Sequence, residues 1–497
     1  MCLPDIDPKV SSLQLTVEER QAVLEDDRVA AIDIIKDELQ RIFVMAAPLL
    51  VAHELELVPD AMLMVMMSNS NPEHSTEVIA AMGLSDLLAM FVFESILGGV
   101  DSALGTLSAQ AFGGKRFREL WLTLQAGAII FAASLPVLFG IFFNGGAILR
   151  FMGQDPKLTE TASTIFILTA MSFPLLMIQA LQRTALQAMN ITTPLAISAV
   201  VPYFVSLPAA YALGHYTPWG PSGMYASNVI NNFVRMLILV PVVMRNPVYR
   251  ESWPGWKPHE AMQLVTKLMR LGFSGMLMVT FQTFSFTVVS FMAGYLPNPA
   301  IALTSNSIFN QILGFAMSPI FVFCGLGAVR TGNALGAGQT RRAALASQAI
   351  VGLCVTVGLI WFVVVTTGAE SFTRTFTSDS VAVSETTKLL LHAGIITPVM
   401  GAALGVQAIF SACGEQWFGA KLNFVSVLII AAPLSWLFAS EFNGGITGLW
   451  LGAGVGFLGV AGSTGVWLRH MSWDKMALNA RTNTHLSVDE AHSAEAA

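Results

Sequence analysis

The 497-residue chain is 54% apolar and only 12% charged, and its mean hydropathy is +0.63. That balance excludes a soluble enzyme and a disordered scaffold. Apolar stretches of about 20 residues, enough for a helix to cross a bilayer, recur along nearly the whole length, so the chain reads as an all-α polytopic membrane protein.

Residues 1–40 hold ten acids against Lys9, Arg20, Arg28 and Lys36, which accounts for the whole formal net charge of −6. This acidic stretch is expected to be a polar cytosolic appendage, helical over 16–40. Nothing near Met1 offers the basic start and apolar core of a secretory signal, so the first membrane helix must itself target the chain. Twelve spans follow, near 41–67, 79–111, 119–143, 159–188, 195–214, 223–244, 266–294, 302–329, 343–368, 385–411, 418–440 and 446–468. They form an N-terminal six-helix bundle over 41–245 and a C-terminal one over 263–469, joined by a cytosolic linker at 246–262 and followed by a cytosolic tail at 470–497. Lys and Arg are concentrated in alternate loops, among them Lys115, Arg116, Arg118, Arg245, Arg250, Arg341 and Arg342. The positive-inside rule therefore puts both termini in the cytosol. Arg235, inside the sixth span, is expected to find a carboxylate or to snorkel.

The chain also resembles itself. Arg150, Asp155 and Pro174 recur as Arg374, Asp379 and Pro398 at an offset of 224, and Gln110-Ala111-Phe112-Gly113-Gly114 corresponds to Asn333-Ala334-Leu335-Gly336-Ala337 at 223. Six spans make one repeat, so the two repeats are parallel, with a cavity expected between them.

Several chemistries are excluded by spacing. Cys2, Cys324, Cys354 and Cys413 show no paired spacing and read as four free thiols. Gly113-Gly114-Lys115 lacks both the leading Gly and the following Ser or Thr of a phosphate loop, which argues against an ATP-driven pump. His53-Glu54 lacks the second His of a zinc protease, because Leu57 stands in its place. No enzyme, cofactor, metal or nucleic-acid site is expected.

Ionisable groups at membrane depth cost about 3 kcal/mol or more and are functional candidates by default. Here they are lopsided. The first span contains His53, Glu54, Glu56 and Asp60 and the second Asp86, Glu94 and Asp101, while no Asp or Glu occurs between Glu260 and Glu370. At helical spacing His53, Glu56 and Asp60 share one face, and Asp86, Glu94 and Asp101 share another. Pro59 frees the carbonyl of Leu55 within the first stripe and makes a bendable acidic helix. These acids are the candidate proton carriers, Asp60 first, with Glu56, Asp101, Glu94 and His53 assisting. The C-terminal half offers neutral polar groups instead, Gln282, Thr287, Asn306, Asn310 and Gln311, interleaved with Phe286 and other aromatics. Amides and aromatics suit amphipathic ligands.

At these residues the sequence resembles the multidrug and toxic compound extrusion (MATE) family of the MOP flippase superfamily, its eukaryotic branch more than its bacterial ones, from about Pro48 to Trp467. The resemblance rests on Gln110 through Lys115, Leu181-Gln182-Arg183 with Leu186-Gln187-Ala188, Val329-Arg330-Thr331-Gly332-Asn333-Ala334-Leu335-Gly336-Ala337-Gly338, and Gly448-Leu449-Trp450, in that order and spacing. It implies two six-helix bundles forming a V, and export of small, often cationic or amphipathic molecules in exchange for protons or sodium. Val58-Pro59-Asp60-Ala61-Met62 resembles the first-span motif whose Asp couples to the cation in bacterial members. The acids usual in the seventh and tenth spans of eukaryotic members correspond here to Gln282, Thr287 and Leu404. The family acid one turn beyond Asp101 corresponds to Gly105.

The expected activity is proton-coupled antiport of a small-molecule substrate by a monomer in a lipid bilayer, at the plasma membrane or a vacuolar or lysosomal-type membrane. Sodium coupling, lipid or oligosaccharide-lipid flipping, and a non-transporting receptor are the alternatives. A flippase would favour a basic cavity, and the midplane here holds almost no Lys or Arg.

Overall fold

The computed structural model describes residues 17–70, 82, 85, 88–151, 156–376 and 379–484, and among them every regular element is helical. Helix α1 (Val17–Arg28) precedes α2 (Ala31–Ser70), which continues through Pro48 and Pro59. A π-helical turn at Ala89–Phe93 leads into α3 (Glu94–Gly113). Next come α4 (Phe117–Phe143), the short α5 (Gly145–Phe151), α6 (Pro156–Ala188), α7 (Thr193–Val200), α8 (Tyr203–His215) and α9 (Gly220–Arg245). After α10 (Pro247–Ser252) the chain forms α11 (Pro258–Ala293), α12 (Pro299–Gly336), α13 (Thr340–Phe376), α14 (Ser380–Ala393), α15 (Ile396–Cys413) and α16 (Gln416–Asn423). A second π-helical stretch at Phe424–Ala431 joins α16 to α17 (Ala432–Ser440), and α18 (Gly445–His470) and α19 (Trp473–Thr484) complete the order.

Local chemistry sets the boundaries. Asn246 caps α10 by accepting from the Val248 amide at 2.9 Å, with Pro247 at the first helical position, the arrangement that satisfies an orphan amide and presets φ. Asp379 caps α14 in the same way through Val381. Helix α15 stops at Gly414, whose φ of 77° is a left-handed conformation that glycine adopts without strain.

Among the described residues ten helical stretches are long and apolar enough to cross a membrane, and they coincide with the third to twelfth predicted spans. The first predicted span lies in α2, and part of the second lies outside the described residues. The tenth, expected as one helix over 385–411, is two helices, α14 and α15. Pro398 has no amide to offer the Gly394 carbonyl, which instead accepts from the Thr397 amide at 3.0 Å and the Thr397 hydroxyl at 2.8 Å.

Packing divides the chain into two compact units. Among the described residues one comprises 17–46, 109–115 and those of 274–484, the other those of 47–108 and 116–273. In the second unit α6 packs against α4 and α9, and α8 against α9. The expected linker at 246–262 is clasped onto α4: Gln125 donates to the Gly255 carbonyl and accepts from the Lys257 amide, both at 2.8 Å, and the Trp121 indole donates to Ser252 at 2.9 Å.

In the first unit α12, α13 and α15 pack on one another and α17 lies on α18. Within it the C-terminal turns of the repeat-related helices α3 and α12 cross. A Cβ on Gly113 would stand 1.9 Å from the Asn333 carbonyl oxygen, and one on Gly336 would stand 1.9 Å from that of Gln110. At the offset of 223 Gly113 matches Gly336 and Gln110 matches Asn333, so the two contacts are mates of a local two-fold, the self-complementary arrangement of an isologous interface. Gln110, fully buried, adds a bond to the Ala412 carbonyl at 2.8 Å.

The acidic N-terminal stretch is not an appendage. Val23 packs against the cluster that contains Leu335, Met476 and Ala477. Glu38, 1% exposed, accepts from Arg330 at 2.7 and 2.8 Å and from Arg342 at 2.7 Å, and Asp37 and Asp26 also pair with Arg342. Composition shows an acidic tail, but these acids are the complement of arginines found some 300 positions later.

Two outcomes follow. Gly336→Val must push a side chain into backbone that cannot give, so it should cost about 1–3 kcal/mol and lower the thermal midpoint of the detergent-solubilised protein, whereas Gly352→Ala, with open space around it, should leave that midpoint unchanged or slightly raised. Burial lifts the Asp26 carboxyl above its ordinary value, Arg342 opposes the lift, and Glu38, Asp27 and Asp37 add to it. The folded chain then holds that proton more tightly than the unfolded chain, so the stability it contributes is complete below the ordinary carboxylate range and is lost as pH rises through the lifted value. Asp26→Asn should therefore gain thermal stability relative to the parent as pH rises toward neutrality; a constant difference at every pH would contradict this.

Candidate functional site: charged groups on the membrane-spanning helices

Helix α3 begins at Glu94, directly after the π-helical turn. Such turns recur at functional sites because they displace one side chain from the helical register. Asp101 follows seven residues later on the same face. Facing it, α6 presents Arg183 and Thr184 in succession. Arg183 Nη2 donates to Asp101 Oδ2 at 2.8 Å, and Thr184 Oγ1 donates to Oδ1 at 3.0 Å. Both oxygens of Asp101 are thus engaged. Glu94 lies within electrostatic reach of Arg183 and Asp101, and among the described residues no side chain forms a hydrogen bond to it.

Next to Glu94, Phe93 joins an aromatic cluster. The Phe93 ring stacks on Phe173 with centroids 4.2 Å apart, and Phe142 meets Phe173 edge-on at 4.7 Å. Glu94 is exposed, and the side chains of Asp101 and Arg183 are 29% and 47% exposed. Charges on spanning helices rarely face hydrocarbon and instead pair with one another or turn toward a bundle interior or cavity.

The other candidate carriers lie on α2. His53 is exposed, while the side chains of Glu54, Glu56 and Asp60, and all of Asp86, lie outside the described residues. The neutral candidates in the C-terminal half separate into two groups. Asn306 is 3% exposed and donates to Ser290 at 2.8 Å while accepting from the Trp450 indole at 3.0 Å, so its amide is spent joining α11, α12 and α18. Gln282 is buried, and Phe286 leans on Trp450 and Phe457. Thr287 and Gln311 are exposed and Asn310 is half-buried.

Arg183 is the residue that sequence reasoning missed as a partner. It was legible as a cation inside a spanning segment that requires an anion nearby, but only the packing of α6 on α3 selects Asp101. For the half-buried Arg235, expected to find a carboxylate or to snorkel, two partners are neutral oxygens. It donates to Asn231 Oδ1 at 3.0 Å and to the Ala199 carbonyl at 3.1 Å, with its guanidinium 5.8 Å from the Tyr203 ring centroid. Ala199 lies in the last turn of α7, where carbonyls lack helical partners and favour a cation. The thiols of Cys324 and Cys354, far apart in sequence, lie 3.5 Å apart. No group of three or more His, Cys, Asp or Glu side chains able to hold a metal ion occurs among the described residues.

The chain is similar to known proteins. The MatE family model matches residues 48–212 and 275–437, one block in each half. Multidrug and toxin extrusion protein 1 of Oryctolagus cuniculus is 25% identical over 473 residues, covering 93% of this chain and 80% of its own length. Protein DETOXIFICATION 37 of Arabidopsis thaliana is 27% identical over 437 residues, covering 84% and 82%. The crystal structure of the eukaryotic MATE transporter AtDTX14 superposes with a TM-score of 0.78 at 20% identity, covering 91% of this chain and 100% of that one, which establishes a common fold. An integral, multi-pass membrane protein with the family model matched in both halves, the chain belongs to the MatE family.

Proposed function

We propose that the protein exports small organic molecules by antiport with protons, alternating between two states open to opposite sides of the membrane, with Glu94 as the exchanging carboxylate. The observation that carries this reading is the unequal treatment of two acids on one helix face. Asp101 is tied by Arg183 and Thr184, whereas Glu94 is accessible and held by no hydrogen bond among the described residues. A carboxylate with both oxygens engaged is fixed in place beside the loose one. A loose one accepts either a proton or the cationic group of a substrate, and mutual exclusion at that position is what couples the two fluxes.

Asp60, with Glu56 and His53 on one face of α2, is the second exchanging acid. In the C-terminal half the exposed Thr287 and Gln311 and the half-buried Asn310 are the candidate substrate-binding groups, together with Gln282 and Phe286. The names of the relatives, multidrug and toxin extrusion and DETOXIFICATION, support an outward flux of xenobiotic or metabolite molecules. A monomer suffices for this cycle, and the placement of Lys and Arg favours cytosolic termini.

The test is efflux of a chemically varied compound panel from proteoliposomes under an imposed pH gradient. Glu94→Gln and Asp60→Asn should each reduce pH-driven efflux by at least about tenfold with the protein inserted and monodisperse, and Glu94→Asp should retain part of it. Undiminished efflux in Glu94→Gln removes Glu94 from the mechanism. Transport that persists on a sodium gradient after the proton gradient is collapsed replaces the coupling ion.

A further inference from the structure

We infer that Arg183 is an anchor for a substrate carboxylate, so that the site takes amphipathic zwitterions, with the substrate's cationic group against Glu94 and its carboxylate against Arg183. The first observation is the incomplete use of Arg183. Guanidinium presents five N–H donors in a planar fork suited to two carboxylates at once, yet among the described residues Arg183 makes one hydrogen bond, from Nη2 to Asp101. Its side chain is 47% exposed. An arginine serving only to neutralise Asp101 gains most from a bidentate bond. Here the second oxygen of Asp101 is given to Thr184 instead, which holds the carboxylate at one edge of the fork and leaves the remaining donors clear.

The second observation is the charge pattern. Glu94, Asp101 and Arg183 together carry one net negative charge when both acids are ionised, and none when Glu94 holds a proton. A simple organic cation pairing with Glu94 would sit beside the positive Arg183. A zwitterion presents a charge of opposite sign to each. The stretch between Glu260 and Glu370 holds no Asp or Glu to add affinity for a bare cation.

The inference builds on the proton-exchange role given to Glu94, and it changes the charge balance of the cycle. One proton entering against one zwitterion leaving moves one charge inward, so an inside-negative potential accelerates zwitterion export. The same exchange with a monocation moves no net charge.

The decisive measurement is equilibrium binding to the purified full-length protein, with no ion gradient, of a matched fluorescent pair: tetramethylrhodamine with a free carboxylate, and its methyl ester. The free acid should bind more tightly than the ester. Arg183→Gln should lower the ratio of the two affinities by at least about tenfold, equivalent to one 1.4 kcal/mol step in binding free energy. Asp101→Asn, which keeps the Thr184 bond and releases Arg183 from its competing carboxylate, should raise that ratio. A purely structural Arg183 would weaken both probes in parallel. Equal affinities in the parent, parallel losses in Arg183→Gln, or no rise in Asp101→Asn would each overturn the anchor. Loss of pH-driven transport with these ratios as expected would overturn the coupling role and leave the anchor standing.

Discussion

Hydrocarbon offers a charge no solvent, and the arrangement of this protein follows from how each charge escapes that condition. Asp101 does so by giving one oxygen to Arg183 and the other to Thr184. Arg235 does so at the open carbonyl end of α7. Glu94 is left accessible, which is stable only where water reaches it. A loosely held acid beside a firmly held one makes a protonation event sensitive to whatever occupies the adjoining space, and this sensitivity is the physical content of ion-coupled transport.

The same economy governs the unit that contains most of the C-terminal half. Glu38 is buried and satisfied by two arginines, Arg330 and Arg342. Removing one partner from such a cluster leaves an uncompensated buried charge, a far larger penalty than the net worth of the pair. The N-terminal acidic segment is thereby fixed to the turn between α12 and α13. Close by in sequence, the glycine crossing of Gly113 with Asn333 and Gly336 with Gln110 brings backbone against backbone. Membrane helices gain little hydrophobic energy from association, so close approach through small residues supplies the packing.

The halves have diverged in chemistry while keeping their common plan. Pro174 lies inside the continuous α6, whereas its repeat mate Pro398 follows a break between α14 and α15. Acids within the predicted spans are concentrated in the N-terminal half, and none occurs between Glu260 and Glu370. Asn306 shows that the neutral polar groups of the other half need not be ligand contacts, since both ends of its amide serve Ser290 and Trp450.

The amino-acid sequence by itself determined the class of this protein, the positions of the spans, the six-span repeat and the concentration of acids in the leading helices. Those properties depend on composition and on spacings within one helix, which are local. Tertiary structure alone decided which charges are paired. Arg183 lies 82 positions from Asp101 and Arg330 lies 292 from Glu38, and no periodicity reports a distance set by helix packing. Asp101 and Glu94 look equivalent along the chain, yet one is bound and the other accessible, because only one of them lies level with the Arg183-Thr184 turn of α6.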